Sequence, residues 1–292
     1  MKVLVTGAAG QLGRALVALA PGDTSVLGVS HEQLDIAEAV AVESALRRFR
    51  PDVLINAAGF TRVDDAETER ETAQRANATG PAVLAASCRR VGAWLVQVST
   101  DYVFDGAQSH PYAPAAPTNP LSVYGRTKLA GEQAVTRELP AHSTVVRTSW
   151  LYAADGRNFL TTMLRLMRSR PQLTVVTDQI GAPTSVPGLA RVLWAFARHR
   201  AAGIYHWCDS GVASWYDFAV AIAEEAVPFG LLASSPPILP IASADYPTAA
   251  RRPPCSLLDK RDTERLLGVA ALHWRRAVRD TLAALASTGA PP

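Results

Sequence analysis

The first thirteen residues, MKVLVTGAAGQLG, restrict the fold of this chain more than any other segment. An apolar run over Lys2–Thr6 predicts a short buried strand, which leads directly into three glycines spaced three residues apart. Glycine is required where a backbone turns tightly, approaches a phosphate closely, or lets a helix pack on a strand. The pattern predicts a phosphate-binding turn built on Gly7, Gly10 and Gly13.

The segments that follow supply the β-α-β context that such a turn requires. A helix is predicted over Gln11–Ala20 and a second strand over Ser25–Ser30. The first N–H groups of the helix and the positive end of its dipole would face a phosphate on the turn. Three glycines alone are weak evidence, so it is their place between these elements that predicts a dinucleotide site.

Strands and helices continue to alternate through the first half of the chain. Each predicted strand is a nearly continuous apolar run, which is typical of parallel strands buried on both faces. The alternation predicts an α/β fold, a Rossmann-like doubly wound parallel sheet with its strand carboxyl ends at one edge. Further strands are predicted at Asp52–Asn56, Trp94–Ser99 and Thr144–Thr148, and helices at Ile36–Phe49 and Glu71–Val91.

The alternation becomes less regular after Trp150, which indicates a second, smaller α/β domain. We expect a dinucleotide-binding domain over residues 1–152 and a substrate-binding domain over residues 153–292, with some later segments returning to the main sheet. Loops are predicted over Ser234–Pro254, and the tail STGAPP is predicted to be disordered. Helices are predicted at Phe159–Arg168, Val186–Arg198 and Trp215–Ala226, and strands at Leu173–Thr177 and Gly203–His206.

Composition limits the classes of function. The 292 residues are 48% hydrophobic and 19% charged, as in water-soluble globular proteins. A net charge of +3 without a long Lys/Arg run argues against a nucleic-acid partner. No apolar run reaches the roughly twenty residues of a membrane span, so we expect a cytoplasmic protein without a membrane partner. The spacing of Cys88, Cys208 and Cys255 predicts neither a disulfide framework nor a zinc site.

Tyr124 and Lys128 lie four residues apart on a predicted helix. Four residues advance a helix by about 6 Å and turn it by about 400°, so both side chains project from one face. A nearby ammonium can lower a phenol pKa from about 10 by roughly one to three units, which would make Tyr124 an efficient proton donor. A Thr100 hydroxyl could hold a substrate oxygen against that phenol. Solvated helix faces often show the same spacing, so the interpretation depends on the other motifs.

Together the motifs resemble the short-chain dehydrogenase/reductase superfamily and, more narrowly, the dTDP-4-dehydrorhamnose reductase family. The glycines and Y-x-x-x-K are common to the superfamily, whereas STDYVFDG, RTSWLY and DQIGAPT are typical of its sugar-nucleotide ketoreductases. The resemblance implies NADPH-dependent reduction of the 4-keto group of a dTDP-4-keto-6-deoxyhexose, with dTDP-4-dehydro-L-rhamnose favoured. It spans residues 1 to about 260 through VTGAAGQLG, NAAG (56–59), VSTDYVFDG (98–106), YGRTK (124–128), RTSWLY (147–152) and DQIGAPT (178–184).

The same resemblance implies roles for individual residues. Tyr124 would donate a proton to the carbonyl oxygen, Thr100 would orient that oxygen, and Lys128 would bind the nicotinamide ribose and lower the Tyr124 pKa. Thr100, Asp101 and Trp150 would contact substrate, although loop capping and core packing are ordinary alternatives for the last two. Cofactor contacts are expected from Gly7, Gly10, Gln11, Leu12, Gly13, Ser30, Asp35, Ile36, Ala57, Ala58, Gly59, Phe60, Thr61, Ser99, Tyr124 and Lys128.

Three further polar residues have competing interpretations. Arg252 could pair with the substrate diphosphate through its planar donor fork, or it could be solvated. Asp64 is predicted to cap a helix, since Asp is favoured at that position. Asn77 is predicted to be a structural hydrogen-bonding residue in the middle of a helix, and the alternative is that it arranges water near Lys128.

The choice of cofactor depends on the end of the second strand, which reads Gly28-Val29-Ser30-His31-Glu32. An acidic residue there would bind a ribose 2′-hydroxyl and repel a 2′-phosphate. Ser30 and His31 could accept the phosphate, while Glu32 could point elsewhere. We therefore expect NADPH, with NADH also accepted.

Two positions depart from the family pattern. Some members dimerise through a magnesium ion held by acidic residues, one of them on the first helix, where this chain has Ala15. Magnesium requires oxygen ligands, so no metal site is predicted, although a homodimer of another kind is compatible with the sequence. The family pattern R-P-x-N-S here reads RPPCS, with Cys255 in place of Asn. A thiol is a weaker hydrogen-bonding group than an amide, so the sugar specificity could differ.

Two other classes of protein compete with the reductase. A noncatalytic regulatory subunit could keep the fold and the nucleotide site, but it would not need Thr100, Tyr124 and Lys128 together. Epimerases and dehydratases of the superfamily use the same Tyr and Lys but retain their cofactor through each cycle. Dehydratases also tend to carry an acidic pair beside the Thr, whereas Asp101 is followed here by Tyr102. A 4-ketoreductase for a different nucleotide deoxysugar is a further alternative.

Overall fold

The structure is a computed structural model that describes residues 1–287. The first half forms β1 (Lys2–Thr6), α1 (Gln11–Ala18), β2 (Ser25–Val29), α2 (Ala39–Phe49), β3 (Val53–Asn56), α3 (Arg70–Gln74), α4 (Gly80–Val91), β4 (Trp94–Thr100), α5 (Val123–Glu138) and β5 (Ser143–Thr148). The second half forms β6 (Leu151–Tyr152), α6 (Phe159–Ser169), β7 (Leu173–Val176), β8 (Ile180–Gly181), β9 (Thr184–Ser185), α7 (Val186–His199), β10 (Gly203–His206), β11 (Ala213–Ser214), α8 (Trp215–Ala226), β12 (Ile238–Ile241), α9 (Arg261–Leu267) and α10 (Trp274–Ser287).

Six strands form one parallel sheet in the spatial order β10-β5-β4-β3-β1-β2. β1 pairs with β2 on one side and with β3 on the other, so the chain changes direction across the sheet at β1. Ligands of open α/β sheets bind outside the strand carboxyl ends at such a switch point. The predicted Rossmann-like doubly wound parallel sheet is therefore confirmed, and its ligand edge is defined.

Alternate residues of the central strands face two separate cores. Val3 and Val5 of β1 pack in the core that contains α1 and α7, whereas Leu4 packs in the core that contains α2 and α4. Both faces are covered, which is why the strands read as continuous apolar runs. The indole Nε1 of Trp194 on α7 also donates a hydrogen bond of 3.0 Å to the Leu16 carbonyl of α1.

The second half of the chain contributes to two regions of the molecule. Its strand β10 and its helix α7 join the large sheet, as expected for segments that return to it. Its helices α6, α8 and α10 form another core with β7, in which Leu160, Phe218 and Val278 are fully buried. Helices α9 and α10 were not predicted from the sequence, although α10 buries residues at helical spacing along one face. The division at residue 152 stays a prediction.

The predicted long helix over Glu71–Val91 is interrupted. A π turn occupies Arg75–Thr79 between α3 and α4. At this turn the backbone lies against α5, because a Cβ at Gly131 would be only 2.1 Å from the Asn77 carbonyl oxygen. A π turn inside a helix often marks a functional site, since it redirects the side chains around it.

The prediction of loops over Ser234–Pro254 is wrong at β12, which pairs in parallel with β7. β12 is an edge strand, where Pro240 can lack an N–H group without breaking a ladder. The tail predicted to be disordered begins at Ser287, which is the last residue of α10, and residues 288–292 lie outside the described part. No helix within residues 1–287 is long and apolar enough to span a membrane.

Candidate active site

The glycine turn joins β1 to α1 at the switch point of the sheet. Gly7 has φ of +71°, and a Cβ there would lie 2.6 Å from the Ala58 nitrogen. A Cβ at Gly13 would lie 2.1 Å from the Gly7 carbonyl oxygen, so that residue must be glycine for α1 to reach β1. Helix α1 begins after Gly10, and no side chain of residues 1–287 caps it. Its first N–H groups are therefore available to an anionic ligand.

A second turn, over residues 57–59, follows β3 and lies beside the glycine turn. A hydrogen-bond chain at the strand ends holds it, running from the Thr6 hydroxyl to Asn56 Oδ1 (2.6 Å) and from Asn56 Nδ2 to Gln97 Oε1 (2.8 Å). Asn56 Oδ1 also accepts a bond from the Ala58 nitrogen (3.1 Å). Because Thr6, Asn56 and Gln97 are all buried, this turn is rigidly placed along the edge of the sheet.

Two cavities meet at these turns and form one groove across the strand ends. The outer cavity, of about 520 Å³, extends toward β2, and the inner cavity, of about 420 Å³, extends toward α5. A groove along the strand ends with a glycine turn and an uncapped helix start at its middle is suited to a dinucleotide. The two cavities share Gly10, Ala57, Ala58, Gly59 and Thr61.

Acidic and basic side chains at the outer cavity are already paired with each other. Arg75 binds Asp35 at 2.8 Å and also binds Glu38, and Asp35 accepts a bond from the Ala37 nitrogen. Arg62 binds Asp65 at 2.6 Å. The lining also includes His31, whereas Ser30 lies just outside it.

Tyr124, Lys128 and Thr100 come together at the inner cavity. Helix α5 begins at Val123 because the Ser122 hydroxyl accepts a bond from the Gly125 nitrogen at 3.1 Å, which places Tyr124 in the first turn. Lys128, one turn later, donates from Nζ to the Val98 carbonyl at 2.7 Å. Thr100 is the last residue of β4. The predicted grouping of a phenol, an ammonium and a hydroxyl at one point of the sheet edge is thus present in the structure.

The electrostatics of this group differ from the sequence prediction. Burial raises the pKa of Tyr124 to about 12, Thr100 opposes that rise by hydrogen bonding, and the charge of Asp101 adds to it. Burial also lowers the pKa of Lys128 to about 8, against the opposing charge of Glu132. The predicted lowering of the Tyr124 pKa is therefore wrong for this structure, because desolvation of the phenol dominates. The phenol carries its proton at neutral pH and can act as an acid.

Asp101 is buried at the end of β4 and both of its carboxylate oxygens are engaged. Oδ1 accepts a bond from the Thr100 hydroxyl at 3.0 Å, and Oδ2 accepts one from Ser256 at 2.5 Å. Burial raises the pKa of Asp101 to about 6, and the bonds from Ser256 and Thr100 oppose that rise. Asp101 lines the inner cavity while connecting the large sheet to the segment that contains Cys255.

Trp150 lies at the end of the inner cavity in a strained backbone conformation, with φ of +47°. Its indole stacks on that of Trp215 with ring centroids 3.6 Å apart and an interplanar angle of 9°. A Cβ at Gly181 would be 2.7 Å from the Trp150 ring, and Gln179 accepts a bond from Trp215 Nε1 at 3.2 Å. Strain of this kind is retained where the surroundings hold a residue for function.

Trp215 is a site residue that the sequence analysis missed. The sequence pattern predicts Trp215 only as the start of a helix, and in the structure it begins α8 after a capping box formed by Ser214 and Asp217. The signal that could have identified it is weak, because an aromatic residue at the first helical position is ordinary. Trp215 lines both the inner cavity and a third, lateral cavity of about 590 Å³.

The lateral cavity lies between the second half of the chain and Val63 and Tyr102, which follow β3 and β4. It shares Val63, Tyr102 and Trp215 with the inner cavity and extends along α6 and β7. Arg252 lines it and forms two bonds to Asp64, at 2.7 and 3.0 Å. Asp64 occupies the N-cap position of a short 3₁₀ helix, Asp65–Glu67, as predicted, but its side chain does not cap that helix, because its carboxylate binds Arg252 and the Ala250 nitrogen instead.

Asn77 is a structural hydrogen-bonding residue, as predicted, and it acts at the wall of the groove. Its amide accepts a bond from the Phe60 nitrogen at 2.8 Å and donates to the Phe60 carbonyl at 3.0 Å. It also donates to the Thr127 hydroxyl at 3.2 Å. The π turn thus links the cofactor-side loop to the residue that precedes Lys128.

A buried ion pair that the sequence analysis did not identify supports the same helix. Arg147 on β5 and Glu132 on α5 form three hydrogen bonds, the shortest of 2.7 Å, and both are nearly inaccessible to solvent. Removing one partner of such a pair would leave a buried charge without compensation, at a cost of about 3–5 kcal/mol. Glu132 lies one turn beyond Lys128 and places negative charge near the ammonium.

The predicted site residues fall into four groups. Arg252 lines the lateral cavity, and Gly13 and Ser30 line none of the three. Gly7, Asp35, Ile36 and Phe60 line the outer cavity, together with the five shared residues. The inner cavity contains the shared residues and Gln11, Leu12, Ser99, Thr100, Asp101, Tyr124, Lys128 and Trp150. Within residues 1–287 no group of three or more His, Cys, Asp or Glu side chains could hold a metal ion.

Comparison with known proteins agrees with this geometry. Residues 1–287 match the family model described as the RmlD substrate binding domain. The dTDP-4-dehydrorhamnose reductase of Aggregatibacter actinomycetemcomitans is 41% identical over 96% of this chain and 97% of its own length. The dTDP-4-keto-6-deoxy-D-glucose reductase of Streptomyces niveus is 42% identical over 94% of each chain.

A solved structure shares the architecture as well. The dTDP-4-dehydrorhamnose reductase of Bacillus anthracis, determined in complex with NADP, has a TM-score of 0.90 and 36% identity, over 96% of this chain and 98% of that one. The resemblance predicted from the motifs is therefore confirmed. The chain belongs to the RmlD substrate binding domain family, in which its relatives are dTDP-4-dehydrorhamnose reductases and related 4-ketoreductases.

Proposed function

We propose that the protein is an NADPH-dependent reductase of the 4-keto group of a dTDP-4-keto-6-deoxyhexose, and that it accepts NADH less well. One observation carries the proposal. Tyr124, Lys128 and Thr100 line the inner cavity, which adjoins the outer cavity on one side and shares walls on the other with the lateral cavity. A ketone held there would lie between a cofactor and a proton donor.

The residues of the groove fit a dinucleotide. Gly7 and Gly13 leave no room for a Cβ, and the uncapped start of α1 offers N–H groups to a diphosphate. Asp35, Ile36 and His31 would surround the adenosine, and Lys128 would bind the nicotinamide ribose. The bound cofactor would supply the hydride that adds to the ketone carbon. Binding of NADP by the Bacillus anthracis relative supports NADPH as the preferred cofactor.

Tyr124 completes the reduction by protonating the oxygen on which negative charge develops. Its pKa of about 12 keeps the phenol protonated until that charge appears, and the Thr100 hydroxyl would turn from Asp101 to donate a hydrogen bond to the same oxygen. The proton lost by Tyr124 is replaced from solvent through the inner cavity. Lys128, one helical turn from Tyr124, would contribute positive charge that favours proton transfer in the transition state.

The lateral cavity would hold the nucleotide end of the substrate. Its walls come mainly from the second half of the chain, through α6, β7, Gln179, Trp215 and Arg252. Most residues that line the lateral cavity follow residue 152, which supports the predicted boundary, while Thr100, Asp101 and Trp150 would contact the sugar from the first half. Arg252 would exchange Asp64 for the substrate diphosphate, and Trp150 and Trp215 would border the sugar.

We also propose that the protein is located in the cytoplasm.

Among possible sugars we favour dTDP-4-dehydro-L-rhamnose, since several relatives are dTDP-4-dehydrorhamnose reductases. A second candidate is direct reduction of dTDP-4-keto-6-deoxy-D-glucose. It is favoured by the 42% identical Streptomyces niveus reductase of that name. Cys255, at the edge of the segment that Asp101 holds, stands where the family pattern has Asn and could separate the two specificities.

One experiment separates these candidates. The purified protein is incubated with NADPH and dTDP-4-keto-6-deoxyglucose, with and without a 3,5-epimerase, while absorbance at 340 nm and product NMR are recorded. Turnover only with the epimerase would support the rhamnose route, and direct turnover would support the second candidate. Absence of stoichiometric NADPH oxidation in both reactions, by protein shown to bind NADPH, would overturn the reductase assignment in favour of a regulatory subunit or an enzyme that recycles its cofactor.

A further inference from the structure

Residues 153–158, which we call the strap, connect the second half of the chain to the glycine turn. Arg14, in the first turns of α1, binds Asp155 of the strap through Nη2 at 2.8 Å and Nε at 3.0 Å. The same guanidinium donates from Nη1 to the Ala9 carbonyl of the glycine turn. Asn158 approaches Gln11 with a longer contact of 3.5 Å. The strap therefore lies against the start of α1, where a dinucleotide diphosphate would bind.

Internal hydrogen bonds give the strap a defined shape. Asn158 donates from Nδ2 to the carbonyls of Ala153 (3.0 Å) and Asp155 (3.2 Å), while its Oδ1 caps α6 by accepting from Thr161. The Thr161 hydroxyl donates to the Gly156 carbonyl at 2.9 Å, and Gly156 provides the turn with φ of +74°. These bonds fix the backbone on both sides of Arg157.

Arg157 stands out among the arginines of the groove. It lines the inner cavity together with Gly10, Gln11 and Leu12. The two arginines of the outer cavity, Arg62 and Arg75, already bind carboxylates. By contrast, no hydrogen bond or ion pair of the Arg157 guanidinium is found within residues 1–287, and the side chain is exposed. Arg157 is therefore a long cation, unpaired within the described part of the chain, that lines the cavity on a backbone held by hydrogen bonds, and it is suited to bind an anion.

The negative charge of the expected ligand exceeds the positive charge that the groove supplies without Arg157. A dinucleotide diphosphate carries about two negative charges, and a helix N-terminus offers the equivalent of about half a positive charge. Arg14 cannot supply the rest, because it is neutralised by Asp155. The planar fork of an arginine matches diphosphate oxygens in geometry as well as in charge.

We propose that Arg157 is a ligand of the cofactor diphosphate and that the strap serves to place it over the glycine turn. The inference rests on the proposed function, since it assumes that NADPH occupies the groove. The diphosphate of the sugar nucleotide is the other ligand of the same chemistry. It is disfavoured because Arg157 lines the inner cavity beside the glycine turn, whereas the lateral cavity has its own arginines, Arg170 and Arg252.

The test compares the full-length protein with Arg157→Gln, and with Arg165→Gln as a control of equal charge change on the exposed side of α6. Dissociation constants for NADPH, NADH and dTDP are measured separately by fluorescence titration or calorimetry. We expect Arg157→Gln to weaken NADPH and NADH equally, by about tenfold, because a charge-assisted bond at an exposed site is lost. Binding of dTDP should stay within about twofold, as should all three constants in Arg165→Gln.

Four outcomes would overturn the inference. Unchanged NADPH binding in Arg157→Gln would remove Arg157 from the cofactor site. Weaker binding of NADPH alone would assign Arg157 to the 2′-phosphate, and weaker binding of dTDP alone would assign it to the substrate. If the wild-type protein itself binds no NADPH, the proposed function fails and this inference fails with it. The salt dependence gives an independent check, since the NADPH constant of Arg157→Gln should rise less steeply with ionic strength than that of the wild type.

Discussion

The two sides of the inner cavity are built in different ways. On the cofactor side, Tyr124 and Lys128 lie one turn apart on α5, and the glycine turn is a continuous segment between β1 and α1. On the sugar side, contacts join distant segments, such as Arg252 with Asp64 and Trp150 with Trp215. The first side is therefore specified by local spacing, and the second by tertiary packing. Changes on the cofactor side should affect chemistry and cofactor binding, and changes on the sugar side should affect substrate affinity.

The largest effect is expected from Tyr124→Phe. The variant keeps the ring and its edge contact with Tyr102 but removes the proton donor, so kcat should fall by about two to four orders of magnitude. NADPH affinity should stay within about twofold of the wild type, because the phenol contributes chemistry more than binding. Initial rates at 340 nm and an NADPH titration check both points. Turnover near the wild-type rate would show that Tyr124 is not the acid.

Gly13→Ala tests the backbone construction of the cofactor side. The new Cβ would lie 2.1 Å from the Gly7 carbonyl, so α1 must move away from β1. We expect NADPH affinity to fall by about a hundredfold, with a loss of roughly 1–3 kcal/mol in unfolding free energy from overpacking. The matched control is Gly22→Ala, since a Cβ there meets nothing within 4 Å. Wild-type NADPH affinity in a folded Gly13→Ala protein would contradict the proposed tight turn.

The pair Arg252→Gln and Asp64→Asn tests the sugar side. If Arg252 binds the substrate diphosphate, its loss should raise the substrate KM by about tenfold with little change in kcat or NADPH affinity. Asp64→Asn keeps the arginine and weakens its competing ion pair, so KM should rise by less than about threefold or should fall. Steady-state kinetics at saturating NADPH give both values. Equal increases in KM for the two variants would mean that the ion pair only supports the structure.

This contrast also explains what could be predicted from the sequence. The sheet, the glycine turn and the grouping of Thr100, Tyr124 and Lys128 follow from local patterns, and the structure contains them. Neither the role of Trp215 in the site nor the ion pair between Glu132 and Arg147 could be predicted, because the residues in contact are distant in sequence. The predicted direction of the Tyr124 pKa shift was also wrong, since the spacing of two residues indicates their proximity but not the extent of their desolvation.

The smallest predicted effect is the pH dependence of kcat/KM, which we attribute to Lys128. Burial lowers its pKa to about 8, so the ammonium that assists proton transfer is present below that pH and is lost above it. The kcat/KM value should therefore fall by about fourfold between pH 7 and pH 8.5, while Tyr124, with a pKa of about 12, stays protonated throughout. Lys128→Arg keeps its charge across this range, so its lower activity should show no such decline. A decline that persists in Lys128→Arg, with circular dichroism unchanged, would assign the titration to another group.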